Sequence, residues 1–187
     1  MIKKGWIALI GTILLMGGCS GINVSQDYDP TTNFQPLDTF SWATDTQAPS
    51  GDPRIDNPLQ DARIRKAVER VLKQKGFDES TDSPSFQVRY QYDLRQKIEA
   101  DGTAGGIGFG IGSYGRHGGI AIGTGNGVQE YDESTLIIDM VAPPSQTLLW
   151  RGSGTQRFVE YTDPEKASRD INTLVEKILS QFPPQEN

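Results

Sequence analysis

One cysteine and one histidine in 187 residues remove several chemistries at once. A disulfide needs two thiols, so the chain has no covalent staple and must be stable by packing alone. A lone histidine excludes a multi-histidine metal site. Basic charge is also short: 18 lysines and arginines stand against 24 acids, a net charge of −6. With no long basic cluster, that balance argues against nucleic acid and against electrostatic attachment to anionic lipid as binding modes. No apolar run reaches the roughly 20 residues a bilayer span requires.

What is present starts at the amino end. Lys3 and Lys4 precede WIALIGTILLM, an uncharged apolar run from Trp6 to Met16. A positive region followed by a short apolar one is a secretory signal. A signal-anchor is the weaker alternative, because the run is too short to span. The signal closes on Met16-Gly17-Gly18-Cys19, which resembles a bacterial lipobox of Leu/Met, two small residues and Cys. That resemblance implies diacylglycerol on the Cys19 sulfur, cleavage before it and acylation of the new amine. Ser20 stands where an aspartate would mark inner-membrane retention, so the resemblance points to the outer membrane, facing the periplasm. One acyl chain, at about 0.8 kcal/mol per buried methylene, holds a protein only marginally, whereas two or more anchor it. The other reading of Cys19, a buried free thiol, lacks a core to enter at a signal boundary. Residues 1–18 therefore read as a signal peptide and 19–187 as a single domain, with 16 basic residues against 24 acidic ones, a net charge of −8.

Residues 22–28 and 38–42 have strand character, joined by the turn-rich DPTTNFQP. Asn57 as N-cap, Pro58 at the first helical position and Gly76 at the end bracket a helix. Its apolar stripe is Ile64, Val68, Val71 and Leu72, and Arg65, Lys66, Glu69, Arg70 and Lys73 form a solvated face. SFQVRYQYDLRQ alternates strictly, a half-buried strand. STLIIDMVA and TLLWRGSG are two more strands. A hairpin about Ser145 sets Met140 opposite Trp150 and Asp139 opposite Arg151, a cross-strand ion pair. Asp163 and Pro164 open a last helix with the stripe Ile171, Leu174, Val175, Ile178 and Leu179. The order β-β-α-β-β-β-α predicts an α+β fold: two layers, an antiparallel sheet with two helices on one face.

Residues 102–127 hold 12 glycines in 26 positions. One reading is a flexible low-complexity loop. The other follows the period of two: Ile107, Phe109 and Ile111, then Ile120 and Ile122, alternate with small residues as in a glycine-faced hairpin. Its contact surface would comprise Phe109, Tyr114, Arg116 and His117. GIGSYG matches a nucleotide-binding fingerprint, but glycine this dense produces the match by chance, and no helical pattern follows.

No catalytic constellation emerges. His117 reads as an exposed loop histidine beside Arg116, and an acylated Cys19 cannot serve it as a nucleophile. Gly152-Ser153-Gly154 lacks nucleophile-elbow spacing. Asp139 within an apolar strand, or Asp132 with Glu133, are the acids an envelope hydrolase would use. For Asp139 the ion pair with Arg151 is preferred, because an acid in mid-strand needs a partner.

The motifs YDPTTNFQPLDTFSW, NPLQDARIRKAVERVLKQKGF, SPSFQVRYQYDL, STLIIDM, LLWRGSG and DPEKASRDINTLVEKILSQFPP carry a resemblance. Together they are similar to the bacterial envelope lipoprotein family catalogued as domain of unknown function 4136, over nearly all of residues 24 to 184. Ser134 and Ala142-Pro143-Pro144 depart from that pattern. The resemblance implies a membrane-anchored, periplasm-facing domain with no catalytic residues to carry over. The expected function is a non-enzymatic binding or structural module without cofactor or metal. Its membrane contact is the lipid anchor, and its partner an envelope protein or peptidoglycan.

Overall fold

The computed structural model describes residues 21–44, 50–100 and 128–184. Its strands are β1 (Asn23–Tyr28), β2 (Thr39–Trp42), β3 (Asp78–Glu79), β4 (Phe86–Ala100), β5 (Val128–Ala142) and β6 (Thr147–Arg157). Its helices are α1 (Pro58–Gln74) and α2 (Pro164–Leu179). The strands form one six-stranded sheet in the spatial order β1-β6-β5-β4-β2-β3.

The class is α+β, as expected, with two corrections of detail. The sheet is mixed rather than antiparallel: β2 runs parallel to β4, from Phe40↔Phe86 to Trp42↔Val88, and β3 runs parallel to β2. The cause is α1, which at about 1.5 Å per residue carries the chain back roughly 25 Å. A strand re-entering the sheet after such a return runs in the same direction as the one before it. The second correction is β3 itself, a two-residue strand that makes the order β-β-α-β-β-β-β-α.

The helix ends follow local chemistry. Asn57 Oδ1 accepts from the Gln60 backbone N–H at 2.9 Å, and Asp163 Oδ1 accepts from Glu165 N–H at 2.9 Å. Each satisfies a donor that the first turn leaves without a helical partner. Gly76 ends α1 at φ +90°, a conformation that favours glycine.

Even-numbered positions of β4, of β5 and of β6 from Trp150 onward point toward the helices. Phe86, Val88, Leu136, Ile138, Met140 and Trp150 meet Ile64, Val68 and Leu72 of α1 and Leu174, Val175 and Ile178 of α2 in one buried cluster. Along β6 the series continues as Gly152 and Gly154. A Cβ on Gly154 would lie 2.8 Å from Ile178 Cγ1 and from Leu174 Cδ1, so α2 rests on the bare β6 backbone. Phe182, just beyond α2, plugs the centre between Phe34, Phe77, Phe86 and Trp150, with ring centroids 5.1–6.0 Å away. Both helices thus occupy one face, and none of the described helices covers the other.

Candidate functional site

On the uncovered face the odd-numbered side chains form a row of alternating charge. Asp27 of β1 stands opposite Arg151 of β6, Arg151 opposite Asp139 of β5, and Asp139 opposite Arg89 of β4. Arg151 Nε and Nη2 donate to Asp139 at 2.7 and 2.8 Å, and Arg89 Nε donates to it at 3.2 Å. The Asp139 side chain is only 7% exposed, because two guanidinium groups cover it from either side. Hydrogen bonding to Asp139 holds the Arg151 guanidinium above its ordinary pKa, and the Asp27 charge adds to this.

The next row sets Ile137 of β5 between Ser153 of β6 and Gln91 of β4. Ser25 and Ser153 share a hydrogen bond of 2.8 Å between hydroxyls. Thr155 stands opposite Thr135, and Glu133 lies opposite Arg157, with Lys97 Nζ 3.4 Å from its carboxylate. Beyond the charged row, a bulge between Met140 and Val141 sets Val141 opposite Leu148.

The acids considered for catalysis are separated by this arrangement. Adjacent strand residues point to opposite faces, so Asp132 and Glu133 diverge instead of pairing. Asp132 pairs with Arg54, which also holds Asp52, and Glu133 faces Lys97. The α1 charges are less solvated than their pattern predicts. Trp42 donates to Glu69 at 2.9 Å and lies under the Arg65 guanidinium, 4.4 Å from the ring centre. Tyr90 donates to Asp61 at 2.6 Å; burial, with that bond, raises its pKa.

One acid stands apart. Asp170, on α2, is the carboxylate that burial shifts upward. Gln156 Nε2 donates to its Oδ2 at 2.6 Å and the Tyr161 hydroxyl approaches Oδ1 at 3.4 Å. It borders an open depression of about 300 Å³ lined also by Tyr161, Lys166, Arg169 and Thr173. Tyr92, deeper in the same region, is pushed up to about 12, chiefly by burial. The sequence held one signal for this cluster: Gln156 continues the helix-facing series of Gly152 and Gly154, and a buried amide needs a partner.

Cys19, Phe109, Tyr114, Arg116 and His117 lie outside the described residues. Among the described residues no three His, Cys, Asp or Glu side chains converge as metal ligands. None of the described helices is long and apolar enough to cross a membrane.

Comparison with curated proteins gives no match. Two structures of the PelC dodecamer from Paraburkholderia phytofirmans, one a point variant, align at 10% and 11% identity. Each covers 88% of this chain and 99% of its own, with TM-scores of 0.47 and 0.49. A PDZ domain protein from Parabacteroides distasonis aligns at 10% identity over 89% of this chain and 37% of its own, with a TM-score of 0.47. The model of the domain of unknown function 4136 (DUF4136) matches residues 24–184, nearly the whole described fold, and the chain belongs to that family.

Proposed function

We propose that the chain is a lipid-anchored envelope lipoprotein, acylated at Cys19 and facing the periplasm from the outer membrane. Its folded domain serves as a non-enzymatic binding or structural module. The observation that carries this reading is the run Lys3-Lys4, the apolar segment to Met16 and Met16-Gly17-Gly18-Cys19, followed directly by β1 at Asn23. So short a connection keeps the domain close to the bilayer. The occupied carboxylates support a module over an enzyme, because a general acid or base needs a group free to exchange its proton. The net charge of −8 after residue 18 favours an envelope protein or peptidoglycan as partner over nucleic acid.

The test is the intact mass of the protein purified from its host's membranes. The expected species begins at Cys19 and carries acyl mass on that residue. A Cys19→Ser variant is expected in the soluble fraction. A chain with an unmodified first residue would overturn the anchor.

One observation favours a second reading, an envelope hydrolase: the raised carboxyl of Asp170 beside an open depression. Hydrolysis of an envelope polymer that is lost in Asp170→Asn, with the fold intact, would establish it.

A further inference from the structure

We infer that β1 is an interface between two copies of this chain, whose β1 strands pair antiparallel, edge to edge, about a two-fold axis through Ser25 normal to the sheet. The inference names a partner for the binding module proposed above, and only its last argument uses the lipid anchor.

The contrast between the two sheet edges carries it. The order β1-β6-β5-β4-β2-β3 leaves β1 at one edge and β3 at the other. A bare edge offers its backbone N–H and C=O groups to any added strand. Proteins guard such edges with very short strands, bulges, proline or charge, lysine above all. The far edge is guarded in this way. β3 has two residues, β2 reaches only to Val88 of β4, and the β4 stretch beyond it carries Arg89, Arg95 and Lys97. β1 has none of these devices. It runs six residues in unbroken register with β6, holds no proline and no basic residue, and has Asp27 as its single charge. Asn23 to Asp27 are all exposed, and among the described residues β1 pairs with β6 alone.

The register follows from parity. Pairing with β6 turns the backbone groups of alternate β1 residues inward and those of the rest outward. Two copies therefore match only where residues of the same parity stand opposite each other. Centred on Ser25, the pair sets Ser25 on Ser25, Val24 on Gln26 and Asn23 on Asp27 of the second copy. Ile22 and Tyr28, which pack at the margin of the core, then meet at both ends. Among the described residues the Asn23 amide and the Asp27 carboxylate have no side-chain hydrogen bond of their own, so each is available to the other. Centring on Asp27 would press two carboxylates together. Centring on Gln26 would call on Asp29, whose carboxylate is taken up by Thr31.

The helices leave room for the approach. α2 leans on Gly152 and Gly154 of β6, one strand in from the edge. Three strand spacings then hold the two α2 helices about 14 Å apart, beyond the roughly 8–10 Å at which helices touch. The axis also suits the anchor, because a two-fold keeps both chain starts at one height along it. Under the anchor reading, both lipids enter one leaflet, where confinement raises the effective concentration.

Cysteine pairing of the full chain in its host's membranes is the test. Antiparallel partners have Cα atoms about 4.5–5.5 Å apart, within disulfide reach. Ser25→Cys is expected to give a covalent dimer under mild oxidation. Asn23→Cys alone and Asp27→Cys alone set like cysteines about 14 Å apart along the strands, and each is expected to give at least tenfold less. Co-expressed, those two variants are expected to join to each other. Peptide masses identify the joined residues and so separate these bonds from any made by Cys19. Ser25→Cys chains that stay single, or that join a different protein, overturn the inference. So do Asn23→Cys chains that join each other as readily as Ser25→Cys chains do, or a mixture that forms no mixed dimer. The acyl mass at Cys19, read on the same material, decides the anchor separately from the pairing.

Discussion

Asp139 and Arg151 face each other across β5 and β6 in a two-point contact of 2.7 and 2.8 Å, and Arg89 closes the acid from the far side. Removing the acid takes away the carboxylate that both guanidinium groups share. Asp139→Ala should therefore destabilise the fold by about 3 kcal/mol, at the lower end for a broken buried pair because the arginines are partly exposed. Urea unfolding measures it. A loss below about 0.5 kcal/mol, the scale of an exposed pair, would show that the row is ornamental to stability.

Gly152 and Gly154 should respond differently to alanine. The Gly154 Cβ would meet the ends of Ile178 and Leu174 at 2.8 Å, and flexible aliphatic tips can turn away. The Gly152 Cβ would meet Trp150 Cη2 at 2.2 Å, part of a rigid ring. Both substitutions overpack the α2 contact, with costs of about 1–3 kcal/mol expected. Gly152→Ala should sit at or above the top of that range and Gly154→Ala near the bottom. Equal melting temperatures for the two variants would contradict the close contact seen at Trp150.

Phe182→Ala should be among the most damaging single changes. The ring is fully buried among Phe34, Phe77, Phe86 and Trp150. Its removal opens a cavity that four rigid neighbours cannot fill, with an expected cost of about 3–5 kcal/mol. Thermal unfolding followed by tryptophan fluorescence in a Trp6→Phe, Trp42→Phe background, which leaves Trp150 as the emitter, reads both the stability and the loosened ring packing. Wild-type stability in this variant would deny Phe182 its central place.

The pH dependence at Asp170 has a definite sign. Burial raises its carboxyl above the usual 3.8, against the bonds from Gln156 and Tyr161 that lower it. The folded protein thus holds this proton more tightly than the unfolded chain does. Its contribution is fully present below 3.8 and is lost as pH rises through the raised folded value. Asp170→Asn cannot titrate and keeps an acceptor for Gln156. Its stability relative to wild type should increase from acid to neutral pH. A constant difference across that range would mean that Asp170 titrates as in the unfolded chain.

Much of this fold is legible in local pattern. The two helices, with Asn57 and Asp163 as caps and the stripes Ile64–Leu72 and Ile171–Leu179, sit where spacing puts them, because caps and stripes act within one or two turns. The hairpin about Ser145 is equally local, and its register alone sets Asp139 against Arg151. The parallel β2–β4 pair was not legible, since nothing in TFSW or its alternation records the direction of a strand 44 residues further on. Nor was the Asp170 cluster, which joins β6 to α2 across the layer interface.

The division has a physical cause. Periodicity, caps and turn residues are short-range quantities, so the chain alone determined both helices and every described strand but β3, the class, the hairpin register and the candidate lipid site at Cys19. Which strands neighbour one another, which glycines α2 leans on, and that Phe182 becomes the centre of the core depend on contacts between distant segments. Those contacts exist only once apolar faces from several elements are buried together. The four-strand row from Asp27 to Arg89 belongs to the same group, because it requires β1 to cross the whole chain and pair with β6.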